Sequence, residues 1–353
     1  MTIAQGPIYY FCTRQHAYTM GVLLGYYDHG LGEKVRIIPY EHVARLGAVA
    51  PGTFIFTDFE RLLPPQMQDV TSLYARIARL NPDLPLLNNP AAVLGRFDLL
   101  KRLKANGFND FDVHRLDQRG EIGRFPVFLR WESRHDPPLT GLIDSADGLE
   151  KAIAAMPRAV RENPDVMIVE FGAAPSADGR FRKYSAFKVG DDIYAQHCFS
   201  SHSWYIKFAE AILGDAERAE SRAYAEENPH AAQLDRIFAV AGIDYGRIDY
   251  CIVDGRIQTF EINNNPTVMS RPAGWDPGAD YSRYATMHAR ALRGIMRPAS
   301  GPDLLLGDGG ISVDAAHADA MRAVRRRIAG FSLRRRLSLR PLKKRLARMF
   351  KRK

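Results

Sequence analysis

Sulfur is scarce in this chain. Its 353 residues include three cysteines, Cys12, Cys198 and Cys251, far apart and in no paired spacing. That excludes a disulfide scaffold and a cysteine-ligated zinc or redox motif, and leaves each cysteine as a small buried hydrophobe. No apolar run approaches the ~20 residues of a membrane-spanning helix. The N-terminus has no basic segment followed by a long apolar stretch, so it does not read as a signal peptide. The expectation is a cytoplasmic protein in a reducing setting. Neither a Gly-x-Gly-x-x-Gly nor a P-loop pattern is present, which removes the two commonest nucleotide fingerprints. No internal repeat is visible.

Acidic residues are missing from one region only. Residues 321–353 hold 15 Lys and Arg and no Asp or Glu. Removing those 15 from the 49 Lys and Arg leaves 34 against 40 Asp and Glu, so the body is net −6 and the +9 of the whole chain belongs to its end. Such asymmetry suggests a tail with an anionic partner of its own. Leu342, Leu346, Met349 and Phe350 share one face of a helix opened by Pro341, with Lys and Arg opposite. This is the pattern of a helix lying on an anionic membrane surface, here through residues 331–353, peripheral at the inner membrane face. Nucleic acid is a weaker fit, because aromatic residues are scarce there. Nothing in the sequence sets the oligomeric state.

Short apolar strands alternate with helices over residues 1–88: strands over 7–13, 35–39, 53–58 and 84–88, helices over 18–27 and 66–80. This alternation predicts a small parallel α/β lobe. A helix follows over 91–106, carrying Arg96, and an apolar strand ends in Arg130. A helix over 147–156 and strands over 166–172, 180–189 and 193–197 follow, then helices over 206–226 and 230–241. These group into two α+β lobes with a cleft, over 89–190 and 191–300. Residues 300–312 are rich in Gly, Pro and Asp and read as a linker. A helix over 312–329, with Ala316, Met321, Val324 and Ile328 at helical spacing, stops at Gly330, and 301–353 reads as linker and basic tail.

The chemistry concentrates in Gly246–Pro266, two strands joined at Asp254-Gly255. A two-residue turn puts Asp249 opposite Phe260 and mixes charge with apolar side chains on each face. A three-residue loop, with Gly255 left-handed at a bulge, puts Ile248, Tyr250, Ile252, Phe260 and Ile262 on one face. Asp249, Thr259, Glu261 and Asn263 then share the other. The second register is the expected one. Asp249 and Glu261 become diagonal neighbours, roughly 7–8 Å apart at Cβ. Two carboxylates and an amide oxygen form an all-oxygen set that suits Mg²⁺.

An Asp on one strand, Glu-x-Asn on the next and a following Asn-Pro resemble the end of the ATP-grasp superfamily's C-terminal lobe. Here they are Asp249, Glu261-Ile262-Asn263 and Asn265-Pro266, and the resemblance extends over residues 1–290. It implies an ATP-grasp fold with a pre-ATP-grasp α/β lobe and two α+β lobes clasping ATP. It also implies that Asp249, Glu261 and Asn263 bind Mg²⁺, as two ions for which Mn²⁺ can substitute. Arg96 and Arg130 fall where the family carries phosphate-binding lysines. Glu170, Phe171 and Gly172 match the hinge against which adenine lies, and Asp178 is the candidate for the ribose. Arg182 or Lys183 would reach the γ-phosphate. Arg271, just past Asn265-Pro266, would grip a substrate carboxylate, and His197, His202, Ser203 and Trp204 would lie on the substrate side.

The activity so implied is ATP-dependent ligation of a small-molecule or peptide carboxylate to an amine through an acylphosphate, with positioning and charge supplying most of the rate. A phosphotransferase or polymer-modifying enzyme on the same fold, and a nucleotide-binding adaptor acting through its tail, are the alternatives.

Overall fold

The computed structural model describes residues 5–27, 30–208, 210–268, 281–298 and 301–337, with backbone alone for Tyr281 and residues 331–337. In the N-terminal lobe, β1 (Ile8–Cys12), β2 (Val35–Pro39), β4 (Thr53–Phe56) and β5 (Leu86–Leu87) form a parallel sheet in the order β2-β1-β4-β5, while β3 (Ala48–Val49) lies apart. Every residue of β1 is buried. Ile8, Tyr10 and Cys12 pack with α1 (Tyr18–Tyr26), whereas Tyr9 and Phe11 pack with α2 (Pro64–Leu80). That is the period-two alternation of a strand covered on both faces. The chain reverses its order between β1 and β4, so the C-terminal ends of these strands form a crevice.

The central lobe follows α3 (Arg96–Ala105). Its antiparallel sheet runs β6-β8-β7, from β6 (Val113–Arg115), β7 (Val127–Trp131) and β8 (Val166–Glu170), with α4 (Ala146–Ala155) and α5 (Arg158–Arg161) before β8. The third lobe is an antiparallel sheet of β9 (Phe181–Val189), β10 (Asp192–Ser201), β11 (Tyr245–Val253) and β12 (Arg256–Asn263), in the order β10-β9-β11-β12. Helices α6 (Asp215–Glu227) and α7 (Ala231–Ala241) precede β11. After β12 comes α8 (Tyr281–Gly294). The strand β9, expected in the central lobe, pairs with both β10 and β11. The second lobe therefore ends near Gly179 and not at residue 190.

Residues 301–312 are not a linker. Within them β13 (Leu304–Leu305) pairs with β3, and Leu304 and Leu306 are buried in the N-terminal lobe. The next element, α9 (Val313–Leu337), lies on β2 and α1. Ala316, Ala320 and Val324, spaced by four, are its buried stripe. His317 Nδ1 accepts from the Ile37 N–H at 3.0 Å, so α9 satisfies an edge group of β2. A Cβ on Gly21 of α1 would lie 2.5 Å from Val324 Cγ2, so glycine there permits close approach of the two helices. The helix continues through Gly330 to Leu337, past its expected stop. A chain end read as separable is thus, as far as α9, part of the first lobe. No helix among the described residues is long and apolar enough to cross a membrane.

The turn differs from the expected one. Val253 pairs with Arg256, so the loop has two residues, Asp254 and Gly255, both at positive φ (48° and 74°). Primed two-residue turns require that backbone, and their twist matches the strands. The extra residue is accommodated further along. Tyr250 pairs with Thr259 and Asp249 with Glu261, leaving Phe260 bulged. The bulge sits where the Asn109 side chain engages the outer edge of β12, its amide donating to the Thr259 carbonyl (3.0 Å) and accepting from the Thr259 N–H (2.8 Å). Asp249 and Glu261 therefore share a face, as expected, but directly opposite and not diagonal. Thr259 moves to the Tyr250 face, and Phe260 leaves the apolar face and lines the cleft.

Three asparagines tie the first lobe to the third. Asn88 bonds the Phe56 and Tyr245 carbonyls and the Asp244 and Tyr245 N–H groups, using both donors and its acceptor oxygen twice. Asn264 Oδ1 accepts from the Asp58 N–H (2.6 Å), and Asn265 Oδ1 accepts from the Tyr10 and Thr19 hydroxyls.

Candidate functional site

Asp249 and Glu261 lie where two cavities meet; both cavities also border Lys183 and Lys207. The first lies between the central sheet and the β9–β12 sheet and encloses about 870 Å³ open to solvent. Its inner end is apolar. Phe128 packs on Trp204 with ring centroids 5.0 Å apart, and Phe171 on Trp204 at 5.7 Å. Its outer end carries Arg130, Lys183, Lys207 and the two carboxylates. An aromatic slot leading to a cation-lined mouth fits a planar base joined to a polyphosphate. The second cavity, of about 1690 Å³ with the open solvent at its mouth included, runs from the same carboxylates toward α1, α6 and α8.

The two carboxylates have separate partners. Asp249 accepts from Ser185 Oγ (2.8 Å), Arg247 Nε (3.1 Å) and Lys183 Nζ (3.3 Å). Burial pushes its pKa up, but Arg247 and Lys183 outweigh burial and hold it well below the carboxylate range. Glu261 is ion-paired with Arg96 and lies 3.7 Å from Arg130 Nη2 and 3.9 Å from His135 Nδ1. Burial again opposes ionisation, and Arg96, His135 and Arg130 reverse it, so Glu261 is ionised. Burial, with Arg96 alongside, lowers Arg130 to about 10. Lys207 is lowered by burial first, with Lys183 and Arg130 acting in the same sense and Glu261 opposing.

Among the described residues no three His, Cys, Asp or Glu side chains converge as a ready-made metal cage. The donor set is two opposed carboxylates and the Asn263 amide two residues on, whose Oδ1 already accepts from the Asn265 N–H at 2.8 Å. One or two carboxylates completed by substrate phosphates is the usual protein share of a Mg²⁺ site, so the residues fit that ion.

The other expected residues separate into groups. Arg96 and Arg130 do converge, but on Glu261; Arg96 also donates to the carbonyls of Trp131 (3.2 Å), Glu132 and Arg134 (3.1 Å). Glu170 is buried as a hub, accepting from the Asp112 N–H (3.0 Å) and the Gly123 N–H (2.9 Å), with His114 Nε2 at 3.3 Å. The Phe171 N–H and C=O are bonded to Pro126 and Arg124, so neither matches the expected open hinge group. Gly172 packs on Phe111, whose Cδ1 would lie 2.1 Å from an added Cβ. Asp178 and Arg182 bind each other through two contacts (2.9 and 3.0 Å), and Glu220 holds the Arg182 Nε. The hydrogen bond from Arg182 is the main cause lowering Asp178 to about 2. The expected ribose and γ-phosphate ligands thus meet in a bidentate pair, although Arg182 also borders the first cavity. Lys183 stands on Asp249. Trp204, expected on the substrate side, lies at the aromatic end of the first cavity, while His197 lines the second. Arg271 lies outside the described residues.

Sequence reasoning missed Arg247, His135 and the position of Lys207. Arg247 precedes Asp249 by two on one strand, so strand periodicity alone places it on the acidic face. His135 Nε2 meets Glu60 Oε1 of the first lobe at 2.8 Å, a long-range contact without a sequence signal. Lys207 fell inside an expected helix over 206–226. The helix starts only at Asp215, because the preceding loop is pinned to β10 by Ile212 N–H to the Ser200 carbonyl and Ser201 Oγ to the Glu210 carbonyl.

No protein-family model matches the chain, and no curated protein matches it. It is similar to several solved structures. The D-alanine–D-alanine ligase of Bacillus anthracis complexed with ATP shows 14% identity and a TM-score of 0.44, covering 82% of this chain and 99% of that one. The ATP-grasp ligase PsnB complexed with a minimal precursor gives 12% and 0.46, with 82% and 99% covered. N5-carboxyaminoimidazole ribonucleotide synthetase of Thermus thermophilus gives 16% and 0.43, with 86% and 80% covered. The family suggested by the Asp…Glu-x-Asn pattern is also the one named for PsnB. At these identities and TM-scores the likenesses carry no argument about chemistry, which rests on the chain's own geometry.

Proposed function

We propose that the chain is an ATP-grasp ligase that activates a carboxylate as an acylphosphate and joins it to an amine. The observation that carries this reading is the direct opposition of Asp249 and Glu261, both ionised, at the cationic mouth of an aromatic-lined cleft. ATP would lie with its base among Phe128, Phe171 and Trp204. Its phosphates would meet Arg130, Lys183 and Lys207. Mg²⁺ held by Asp249, Glu261 and Asn263 would supply charge neutralisation of the phosphates.

The substrate carboxylate enters from the second cavity. One of its oxygens attacks the γ-phosphorus as the β–γ bridging bond breaks, and ADP departs. The amine nitrogen then attacks the acyl carbon, the C–O bond to phosphate breaks, inorganic phosphate leaves, and the amine proton passes to solvent. Arg130, Lys183, Lys207 and Arg247 hold and neutralise the transferring group, and the protein performs little covalent chemistry. A phosphate-release screen over carboxylates with hydroxylamine as trapping amine tests this. Hydroxamate formation that vanishes in Asp249→Asn is expected. ADP formed together with a stable phosphorylated product, in place of a condensed one and without free phosphate, favours the phosphotransferase alternative, and no nucleotide binding removes the reading.

The basic end carries a second, separate proposal: residues 331–353 bind an anionic membrane surface, mainly through the part beyond Leu337. The packing of α9 on the first lobe sets where a truncation leaves the body intact. Co-sedimentation with anionic vesicles that is lost on truncation after Leu337 supports it, and no binding by the full chain refutes it.

A further inference from the structure

The packing of α9 gives the basic end a fixed direction. A Cβ at Gly25 of α1 would lie 3.5 Å from Met321 Cε, a Cβ at Gly21 would meet Val324, and the Arg327 guanidinium lies over the Tyr18 ring at 3.9 Å. These contacts step forward along α9 and back along α1, so the two helices are antiparallel. Because α1 begins just past the C-terminal end of β1, α9 runs toward the crevice end of the first lobe. Tyr18 also borders the second cavity. Arg327 therefore marks where α9 passes the α1 border of that cavity, and the helix continues to Leu337, about 15 Å further at ~1.5 Å per residue.

The outward face of α9 is basic where the helix is docked. Ala316, Ala320 and Val324 are buried against the lobe. Arg322, Arg325, Arg326 and Ala329 are exposed, at the spacing i, i+3, i+4, i+7 of the opposite helix face. Arg322 meets Asp319, which also holds Arg14 and His42. Beyond Asp319 the chain contains no Asp or Glu. Like charges three and four residues apart work against a helix, and an anionic surface relieves that repulsion. The helix is continuous from Val313 to Leu337, so no break separates this face from the start of the basic tail.

We propose that the anionic membrane surface meets the molecule along this outward face, at Arg322, Arg325 and Arg326, and not through the tail alone. This rests on the membrane reading of residues 331–353 and adds an orientation to it. The first lobe is then held with β2, the edge strand beneath α9, toward the lipid. The α1 border of the second cavity lies beside the headgroup layer. The first cavity, whose described lining includes no residue of the first lobe, lies further from it.

Vesicles of phosphatidylcholine with and without phosphatidylglycerol test this on the full chain. The three native cysteines are buried, so a fluorophore attaches selectively to an introduced one. Gln15→Cys and Ala329→Cys place it at exposed positions, at the crevice end and on the outward face of α9. Asp83→Cys places it at an exposed position just before β5, at the opposite edge of the sheet and the opposite end of its strands. Energy transfer to a headgroup dye is expected to be strong from positions 15 and 329 and weak from position 83. The double substitution Arg325→Gln and Arg326→Gln, with the fold checked by Tm, is expected to weaken binding about twenty- to thirtyfold, which is about 1 kcal/mol for each basic side chain near an anionic surface. Binding that the double substitution leaves unchanged, or equal transfer from the three positions, overturns this orientation and leaves the tail reading standing. No vesicle binding by the full chain removes both. Preference for a duplex DNA fragment over the anionic vesicles, lost in the double variant, overturns the proposal in favour of a nucleic-acid surface.

Discussion

Replacing Glu261 by Gln separates the two roles of that carboxylate. In the ligand-free protein Glu261 is the counter-ion of Arg96, with Arg130 and His135 within 4 Å. Removing one partner of a buried pair costs ~3–5 kcal/mol. Gln retains a polar acceptor and Arg96 keeps three backbone carbonyls, so about 2–3 kcal/mol is expected, a loss of about 3–4 °C in Tm for a chain of this size. The nucleotide effect has the opposite sign when no metal is present. A carboxylate about 5 Å from a phosphate at an effective dielectric of ~20 repels it by roughly 3 kcal/mol, and screening reduces that. Metal-free ATP should therefore bind Glu261→Gln about tenfold tighter than wild type, while Mg-ATP turnover falls about a hundredfold. Titration calorimetry in EDTA and in Mg²⁺, with thermal unfolding alongside, reads all three quantities. Metal-free ATP binding that is unchanged or weaker in the variant would refute the assignment of Glu261 to the phosphate site.

Gly21→Ala should destabilise by about 1–2 kcal/mol in denaturant unfolding, the overlap with Val324 exceeding the ~1 kcal/mol gain in helix propensity, and Val324→Ala should suppress that cost in the double variant. An additive double variant would place the two helices apart. Glu170→Ala should lower stability by about 2–4 kcal/mol, since it strands the Asp112 and Gly123 N–H groups and His114, and the folded fraction at low temperature should bind nucleotide within a fewfold of wild type. His288 is fully buried between the Tyr194 and Tyr245 hydroxyls and is lowered to about 3 by burial. Its folded pKa lies below the ~6.5 of the unfolded chain, so stability is full above pH 6.5 and falls on acidification toward pH 3, by up to about 1.4 kcal/mol per pH unit. Unfolding free energies of wild type and His288→Gln across that window should converge as the pH falls; a constant difference contradicts a neutral His288.

Much of the site was legible because it is local. The alternation in Ile248–Cys251 and Glu261–Asn263 sorts acids from apolar residues, and one extra residue was required to bring Asp249 and Glu261 together. Where that residue would be absorbed was not legible. Asp254-Gly255 is a sufficient two-residue turn, and the bulge at Phe260 is stabilised by Asn109, 150 positions away in the chain. Arg96 and Arg130 were found as cations on rigid elements, yet their ligand-free partner is a carboxylate and not a phosphate. The Asp178–Arg182 pairing was hidden for the same reason: each was weighed against a ligand and neither against the other. The placement of β9 and the return of residues 301–330 to the first lobe depend on long-range pairing that no local pattern encodes.

The three amides at the end of β12 have a mechanical consequence. Asn263 borders the second cavity while its neighbours grip the first lobe, Asn264 at the Asp58 N–H just past β4 and Asn265 at the Tyr10 and Thr19 hydroxyls, and Asn88 clasps the start of β11 from the other side. The sheet whose strand β12 bears Glu261 and Asn263, two of the proposed metal ligands, is thereby bolted to the first lobe at both ends of the junction. Among the described residues, the central lobe meets Glu261 through the side chains of Arg130, on β7, and His135, in the loop that follows it. On the ligase reading, closure over a nucleotide would move the central lobe against a bed formed by the other two, breaking the His135–Glu60 contact. The spacing between the proposed metal position and the second cavity would then be set by the joined first and third lobes, and the depth of the base slot by the central one.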